Sequence, residues 1–280
     1  MIPAPFDYTR PQSIDEALAA LGSGDDIKVL AGGHSLIPAM KLRLAQPRTV
    51  VDISRLADLN YIRAANGQIT IGAATTHYAI ESSALLKEKC PLLPEVAAQI
   101  GDVQVRNRGT IGGSLVHADP AADWPAAILA LDAQLEIAGP NGRRTVAASD
   151  FFVEMMQSAV QPNEILVEIR APVTGSSVAY VKFAQKASGF AIAGVAAIIE
   201  SKSKTVRIGV TGVARKAFRA TAVEDALRGK ALTPANIAAA ADKADEGLET
   251  LNDIHASAEF RAHLTRVNTR RALERAAERG

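Results

Sequence analysis

Two stretches decide how this chain is read: Leu30-Ala-Gly-Gly-His-Ser-Leu36 and Gly109-Thr-Ile-Gly-Gly-Ser-Leu115. Each couples an apolar run to paired glycines and a hydroxyl side chain. Without a Cβ, paired glycines let backbone N–H groups approach a ligand closely, and successive N–H groups form an anion-binding nest. Ser35, Thr110 and Ser114 add hydroxyl donors. Two such loops suit the two phosphates of a dinucleotide. Neither matches GxGxxG or the phosphate-binding GxxxxGK pattern, so a Rossmann or P-loop reading fails. Taken singly, each also reads as a tight turn, which is what most Gly-Gly pairs mark.

Working outward, Ser13 and Glu16 have the spacing of a capping box and predict a helix through Leu21, ending near Gly22 and Gly24. Residues 27–31 and 49–53 read as strands around the first glycine loop, so 1–55 predicts a small α/β unit. From 56 to 175 the pattern predicts strands at 68–73, 135–138 and 165–170 and helices at 82–89, 93–99 and 123–131, with glycine-rich turns at 109–114 and 139–142. Composition changes after Pro172 and Gly175. Residues 178–183, 191–200 and 206–212 predict a three-stranded antiparallel meander. Helices follow, one with Thr233 as N-cap and Pro234 at its first position. Over 256–277, Phe260, Leu264 and Val267 fall at i, i+4 and i+7, the pattern of an amphipathic terminal helix. Two domains are expected, 1–175 and 176–280.

Bulk composition excludes several functions. The chain has 280 residues, 48% hydrophobic and 22% charged, enough for two or three compact units and unlike a disordered chain. A net charge of +1 lacks the concentrated basic surface that nucleic acid or an anionic membrane requires. Aromatic residues, at 4%, are too few for a base-stacking platform. The single cysteine, Cys90, provides neither an internal disulfide nor the four thiolates of a usual iron–sulfur cluster. Five histidines show no HExxH spacing, and His117 with Asp119 is too sparse a pair to hold a metal. Redox metals, if involved, are therefore expected on another chain. No secretory leader or membrane span is read, and the expected location is the cytoplasm.

The first glycine motif sits in AGGHSLIPAMKLRLAQPRTVVDIS. It is followed by GAATTH, VRNRGTIGGSLVHADPAADWPAAILALDA and KFAQKASGFAIAGVAA, and near the C-terminus by HASAEFRAHLTRVNTRRAL. Together these resemble the FAD-binding medium subunit of molybdenum hydroxylases, the family of carbon monoxide dehydrogenase medium chains and xanthine dehydrogenase flavin subunits. The resemblance covers nearly the whole chain. It implies an α+β fold: a two-subdomain FAD-binding unit of the vanillyl-alcohol-oxidase (PCMH) type, then a C-terminal domain of three antiparallel strands plus helices. It implies an oxidoreductase subunit that binds FAD and passes electrons from iron–sulfur clusters to an external acceptor. It also implies two partners, a small 2Fe-2S subunit and a large molybdopterin subunit, assembled as a dimer of heterotrimers.

By position, the resemblance places Ala31, Gly32, Gly33, His34 and Ser35 on one side of the pyrophosphate and Thr110, Ile111, Gly112, Gly113 and Ser114 on the flavin side, with Leu30, Leu36 and Thr76 as further cofactor-binding residues. Asp123 matches an acid that bonds the cofactor; helix N-capping is its alternative. Leu166, Lys182 and Phe190 match further contacts, with Phe190 where relatives stack a tyrosine on the flavin. Core packing for Leu166 and Phe190, and a solvated charge for Lys182, are the alternatives. Gly189 and Lys186 stand where some relatives have Asp and Arg. No catalytic residue and no metal ligand is expected; His34 and His77 are read as packing or hydrogen-bonding groups. A self-sufficient flavoenzyme of the same fold and a non-catalytic nucleotide-binding module remain the competing readings.

Overall fold

The computed structural model describes residues 1–200, 203 and 205–280. Three sheets organise the chain. The first is parallel: β1 (Asp7–Thr9), β2 (Ile27–Leu30) and β3 (Thr49–Asp52) pair in the order β1-β3-β2. Helix α1 (Ile14–Leu21) connects β1 to β2, and α2 (Leu36–Lys41) lies between β2 and β3. The second sheet is antiparallel. Its strands β4 (Ile62–Ala65), β5 (Gln68–Gly72), β6 (Gln134–Gly139), β7 (Gly142–Ala147) and β10 (Ile165–Pro172) run in the order β4-β5-β10-β6-β7.

Between β5 and β6 the chain forms six short helices: α3 (His77–Ser82), α4 (Ala84–Lys89), α5 (Leu92–Ala97), α6 (Val103–Arg108), α7 (Ile111–His117) and α8 (Trp124–Ala130). After β7 come α9 (Ala148–Phe151) and a small hairpin of β8 (Phe152–Glu154) and β9 (Gln157–Ser158). The third sheet is an antiparallel meander of β11 (Val178–Ala184), β12 (Ala191–Glu200), β13 (Thr205–Thr211) and the two-residue β14 (Phe218–Arg219). Helices α10 (Thr221–Leu227), α11 (Pro234–Ala241) and α12 (Ala258–Glu278) complete the chain.

Burial ties these parts together. Ile69, Ile71, Leu135, Ile137 and Ile169 of the second sheet share one core with Trp124, Ile128, Tyr180 and Ile198. The third sheet is covered on both faces: Ala196 and Ile198 turn toward that core, whereas Ala193, Val195 and Ala197 pack with Leu264 and Leu273 of α12. A strand covered on both faces needs apolar residues throughout, and the small residues of Ala-Ile-Ala-Gly-Val-Ala-Ala, 191–197, let helices approach from either side.

The meander matches the expected three strands, with β14 added at one edge. Elsewhere the structure departs from the sequence reading for identifiable reasons. The predicted turn at 109–114 is instead the start of α7, because Thr110 Oγ1 accepts the Gly113 N–H (3.1 Å) and so caps a helix. The helix expected over 82–89 is broken at Ser83, which ends α3 and caps α4 through Leu86 N–H (3.2 Å). At α1 the Glu16 carboxylate accepts from the N–H of Gln12 (2.7 Å) and not that of Ser13.

The largest change is the buried face of α12. It consists of Arg261, Leu264, Thr265, Asn268, Thr269, Ala272, Leu273 and Ala276, and Phe260 stays largely outside. Polar anchoring sets this rotation: Arg261 Nη1 donates to Ile192 O (2.9 Å) and Gly212 O (2.5 Å), and Asn268 Nδ2 donates to Ala193 O (3.0 Å). Apolar periodicity could not reveal a face chosen by hydrogen bonds to a strand's carbonyls.

Gly209 marks where β13 crosses α8, since any Cβ there would overlap the Ala126 carbonyl oxygen. Gly209→Ala should therefore cost about 1–3 kcal/mol, the usual penalty of overpacking. Urea unfolding followed by emission of Trp124, the sole tryptophan, measures it. An unchanged midpoint would mean that the crossing gives way freely.

Candidate cofactor site

The two glycine motifs meet. A Cβ on Gly32 would overlap Arg108 O and lie 2.7 Å from Gly109 Cα; one on Gly113 would lie 3.6 Å from the Ala31 Cβ. A Cβ on Gly112 would be 2.6 Å from both the Cβ and the carbonyl oxygen of Ala73. Gly32 and Gly112 are thus required first by protein packing, backbone against backbone. Gly33 has φ +78°, a conformation open to glycine at little cost.

The N–H groups of the two motifs are used differently. Those of Gly32, Gly33, His34, Ser35 and Leu36 find no acceptor among the described residues. In the second motif most are taken: Ile111 N–H donates to Thr75 O (3.0 Å), Gly112 to Ala73 O (2.9 Å), Gly113 to Thr110 Oγ1 (3.1 Å) and Ser114 to Thr110 O (3.1 Å), and Thr110 alone finds no acceptor among the described residues. This corrects the expectation that both loops offer N–H nests. Only the first does. The second provides helix α7 as a wall and the Ser114 hydroxyl, which like that of Ser35 has no partner among the described residues.

Between the motifs runs a cleft of about 640 Å³, within the range of small-molecule sites. Ala31, Gly32, Gly33, His34, Ser35, Leu36, Thr110, Gly112, Gly113, Ser114, Asp123, Leu166 and Phe190 all line it. Four expected residues stand outside the lining. Leu30 ends β2; Thr76 caps α3 and bridges to Thr110; Ile111 is fully buried in the core. The Lys182 side chain is only 5% exposed, and its ammonium donates to Gln99 O (2.6 Å), Gly189 O (2.8 Å) and Asp123 Oδ2 (3.1 Å).

The geometry also decides between alternatives. Asp123 occupies the first cap position of α8 but caps nothing; its carboxylate accepts from Tyr180 Oη (2.5 Å) and Lys182. Burial raises the Asp123 carboxyl, and the ammonium and phenol oppose that shift. Burial and the adjacent carboxylate push the Tyr180 phenol far up, so it remains a donor. Lys182 is not a solvated charge. Phe190 is 47% exposed and therefore not core, whereas Leu166 serves both core and cleft wall.

The sequence reading missed one wall altogether. Met156, Gln157, Val160, Gln161 and Pro162 reach the cleft through the β8–β9 hairpin and the segment leading to β10. No motif marks them; only the fold carries this segment there.

His77 forms part of the floor. Its Nδ1 accepts from Trp124 Nε1 (3.0 Å), which leaves the ring proton on Nε2, beneath Gly109. His34 Nε2 lies 3.2 Å from Gln104 O. No histidine of the cleft is hydrogen-bonded to a carboxylate among the described residues, and no group of three metal-ligating side chains occurs among them.

Burial pulls the His77 pKa down to about 4. The unfolded ring titrates near 6.5, so between these values the unfolded chain binds more protons. The stabilising effect is complete above about pH 6.5 and lost as pH falls toward 4. Going from about pH 7.5 to about pH 5, unfolding free energy should drop on the order of 2 kcal/mol from this group. His77→Gln should flatten that slope in urea titrations; an equal slope in both proteins would assign it to other residues.

Comparison with known proteins agrees with this architecture. Residues 4–174 match the FAD-binding domain of molybdopterin dehydrogenases, and residues 178–276 match the C-terminal domain of CO dehydrogenase flavoproteins. The chain is 42% identical to the carbon monoxide dehydrogenase medium chain of Hydrogenophaga pseudoflava, over 99% of its own length and 98% of that chain. It is 36% identical to the glyceraldehyde dehydrogenase medium chain of Sulfolobus acidocaldarius, over 99% and 100%. The solved carbon monoxide dehydrogenase of H. pseudoflava superposes with a TM-score of 0.96 at 43% identity, covering 100% of this chain and 99% of that one. Quinoline 2-oxidoreductase of Pseudomonas putida 86 superposes with a TM-score of 0.94 at 32% identity, covering 99% of each. With both domains matched end to end, the chain belongs to the FAD-binding medium subunits of the molybdenum hydroxylases, the family of the carbon monoxide dehydrogenase medium chains.

Proposed function

We propose that this flavin subunit carries FAD in the cleft and relays electrons from iron–sulfur clusters on a partner chain to an external acceptor. The observation that supports it best is the run of five N–H groups at 32–36 without acceptors among the described residues, in a cleft that Ser114 also lines. A row of free N–H groups suits a pyrophosphate, because each charge-assisted bond satisfies a donor otherwise left without a partner. The hydroxyls of Ser35 and Ser114 add two donors. Leu166, Val160 and Pro162 add apolar lining, and Phe190 adds an exposed aromatic ring. When bound, FAD supplies the ability to accept electrons singly and release them in pairs.

The chain's own groups position and shield. His77, neutral at physiological pH and tied to Trp124, contributes shape and a ring N–H without exchanging protons. Substrate oxidation is assigned to a large molybdopterin subunit, and a small 2Fe-2S subunit is the electron donor to this chain. Relatives named medium chains of dehydrogenases support this division. A dimer of such heterotrimers is the proposed assembly.

Absorbance and acid extraction of the purified chain should give a single FAD per chain, bleached by the organic substrate only when the partner subunits are present. A colourless chain, alone and in the complex, would refute the cofactor assignment. Gly113→Val puts a branched side chain between Thr110 and Ala31, at the phosphate approach. FAD affinity should fall at least tenfold, ~1.4 kcal/mol, measured on folded protein because the new Cβ also lies 2.8 Å from the capping Thr110 Oγ1. Full occupancy in this variant would remove the second motif from the cofactor site.

A further inference from the structure

The turn that carries Phe190 closes largely on itself. Gln185 Oε1 accepts the N–H groups of Ala187 (2.6 Å) and Ser188 (2.7 Å). Gln185 N–H donates to Phe190 O (2.8 Å), and Gly189 N–H donates to Gln185 O (2.8 Å). Gly189 itself has φ +76° and faces Gly101. Lys186, Ala187, Ser188 and Phe190 are exposed, so little apolar burial holds the turn in place.

What holds it is an ammonium. Lys182 Nζ donates to Gly189 O inside the turn, to Gln99 O on the neighbouring segment, and to Asp123 at the head of α8. Three segments distant in sequence thus converge on one point charge. An ammonium has three donors, and all three are engaged by protein. Asp123 is held in turn by the Tyr180 hydroxyl, and Tyr180 needs Gly194 opposite, where a Cβ would overlap that hydroxyl oxygen. The side chain of Lys182 is buried and absent from the cleft wall.

We propose that Lys182 is a positioning residue: through the Gly189 carbonyl it fixes Phe190 at the cleft wall, and it does not itself touch the cofactor. The assignment rests on the cleft being the FAD site. Its physical basis is that a self-contained, exposed turn has few means of holding one orientation. A buried ammonium shared with two other segments supplies one, because releasing Gly189 O would leave a buried donor without a partner. Removing the ammonium should leave the hairpin formed but free the turn to swing about its ends.

The test uses the full chain with Lys182→Met, Phe190→Ala and the combined variant. Lys182→Gln is made alongside, because its shorter amide keeps a donor for Asp123 while losing the reach to Gly189. Native Trp124 emission certifies folding. Three properties are read: FAD per chain, the flavin absorbance band with its quenching by iodide, and hydrogen exchange of the amides at 185–190. Lys182→Met and Lys182→Gln should retain FAD, speed exchange across the turn, and shift the band and quenching as Phe190→Ala does. The combined variant should add nothing further, since residues acting as one unit are not additive.

Additive shifts would make Lys182 and Phe190 independent and overturn the proposal. So would loss of FAD from a natively folded Lys182 variant, which would make Lys182 a direct holder of the cofactor. Unchanged exchange would show that the turn needs no anchor. A parent chain without FAD would defeat the reading of the cleft instead, and the exchange measurement would still decide whether Lys182 holds the turn.

Discussion

Gly32 lies directly against the carbonyl of Arg108 and the Cα of Gly109, and this backbone-on-backbone approach is what the rest of the site depends on. It brings the parallel β1–β3 unit to the helical segment between β5 and β6 without an intervening side chain. The N–H groups of residues 32–36 find no acceptor among the described residues. A side chain at 32 would separate the surfaces and dissolve the floor between them. The phosphate-binding character assigned to the loop therefore follows from a packing constraint. The glycine serves protein contact first, and the free donors result from it.

Another part of the cleft's surroundings is held by charge. Asp123, Lys182 and Tyr180 lie buried where α8, β11 and the Phe190 turn converge. Burying an ion pair carries a large desolvation cost, offset only when the remaining hydrogen-bonding capacity is satisfied. Here the ammonium has three acceptors and the carboxylate receives a phenol besides. Such a group specifies a relative position more than it adds net stability. The third sheet, covered by α8 on one face and α12 on the other, places this knot rigidly beside the cleft.

Much of this was legible in the chain itself. The strands at 178–183, 191–200 and 206–212, the Thr233 cap and both glycine motifs follow from local chemistry, and the resemblance pointed to the family that the comparisons establish. Other features were not legible, each for a definable reason. Gly109 to Ser114 has the composition of a turn but begins a helix, since one threonine hydroxyl placed to cap outweighs the glycines. The buried face of α12 follows Arg261 and Asn268, whose hydrogen bonds to β12 and Gly212 no hydropathy pattern contains. Lys182 carries a charge that ordinarily stays in solvent, yet it is buried because three acceptors from separate segments happen to converge on it.

The sequence by itself determined the three meander strands, the Thr233 cap and the two glycine motifs, and carried the resemblance to the family, because propensities, caps and motif spacing act over a few residues of chain. Only the tertiary structure decided which donors remain free at 32–36, which wall Met156 to Pro162 forms, and that Asp123 answers Lys182 and Tyr180 instead of capping α8. These depend on where segments far apart in the chain come to lie, and an N–H or a carboxylate takes its role from whichever partner the fold places within about 3 Å.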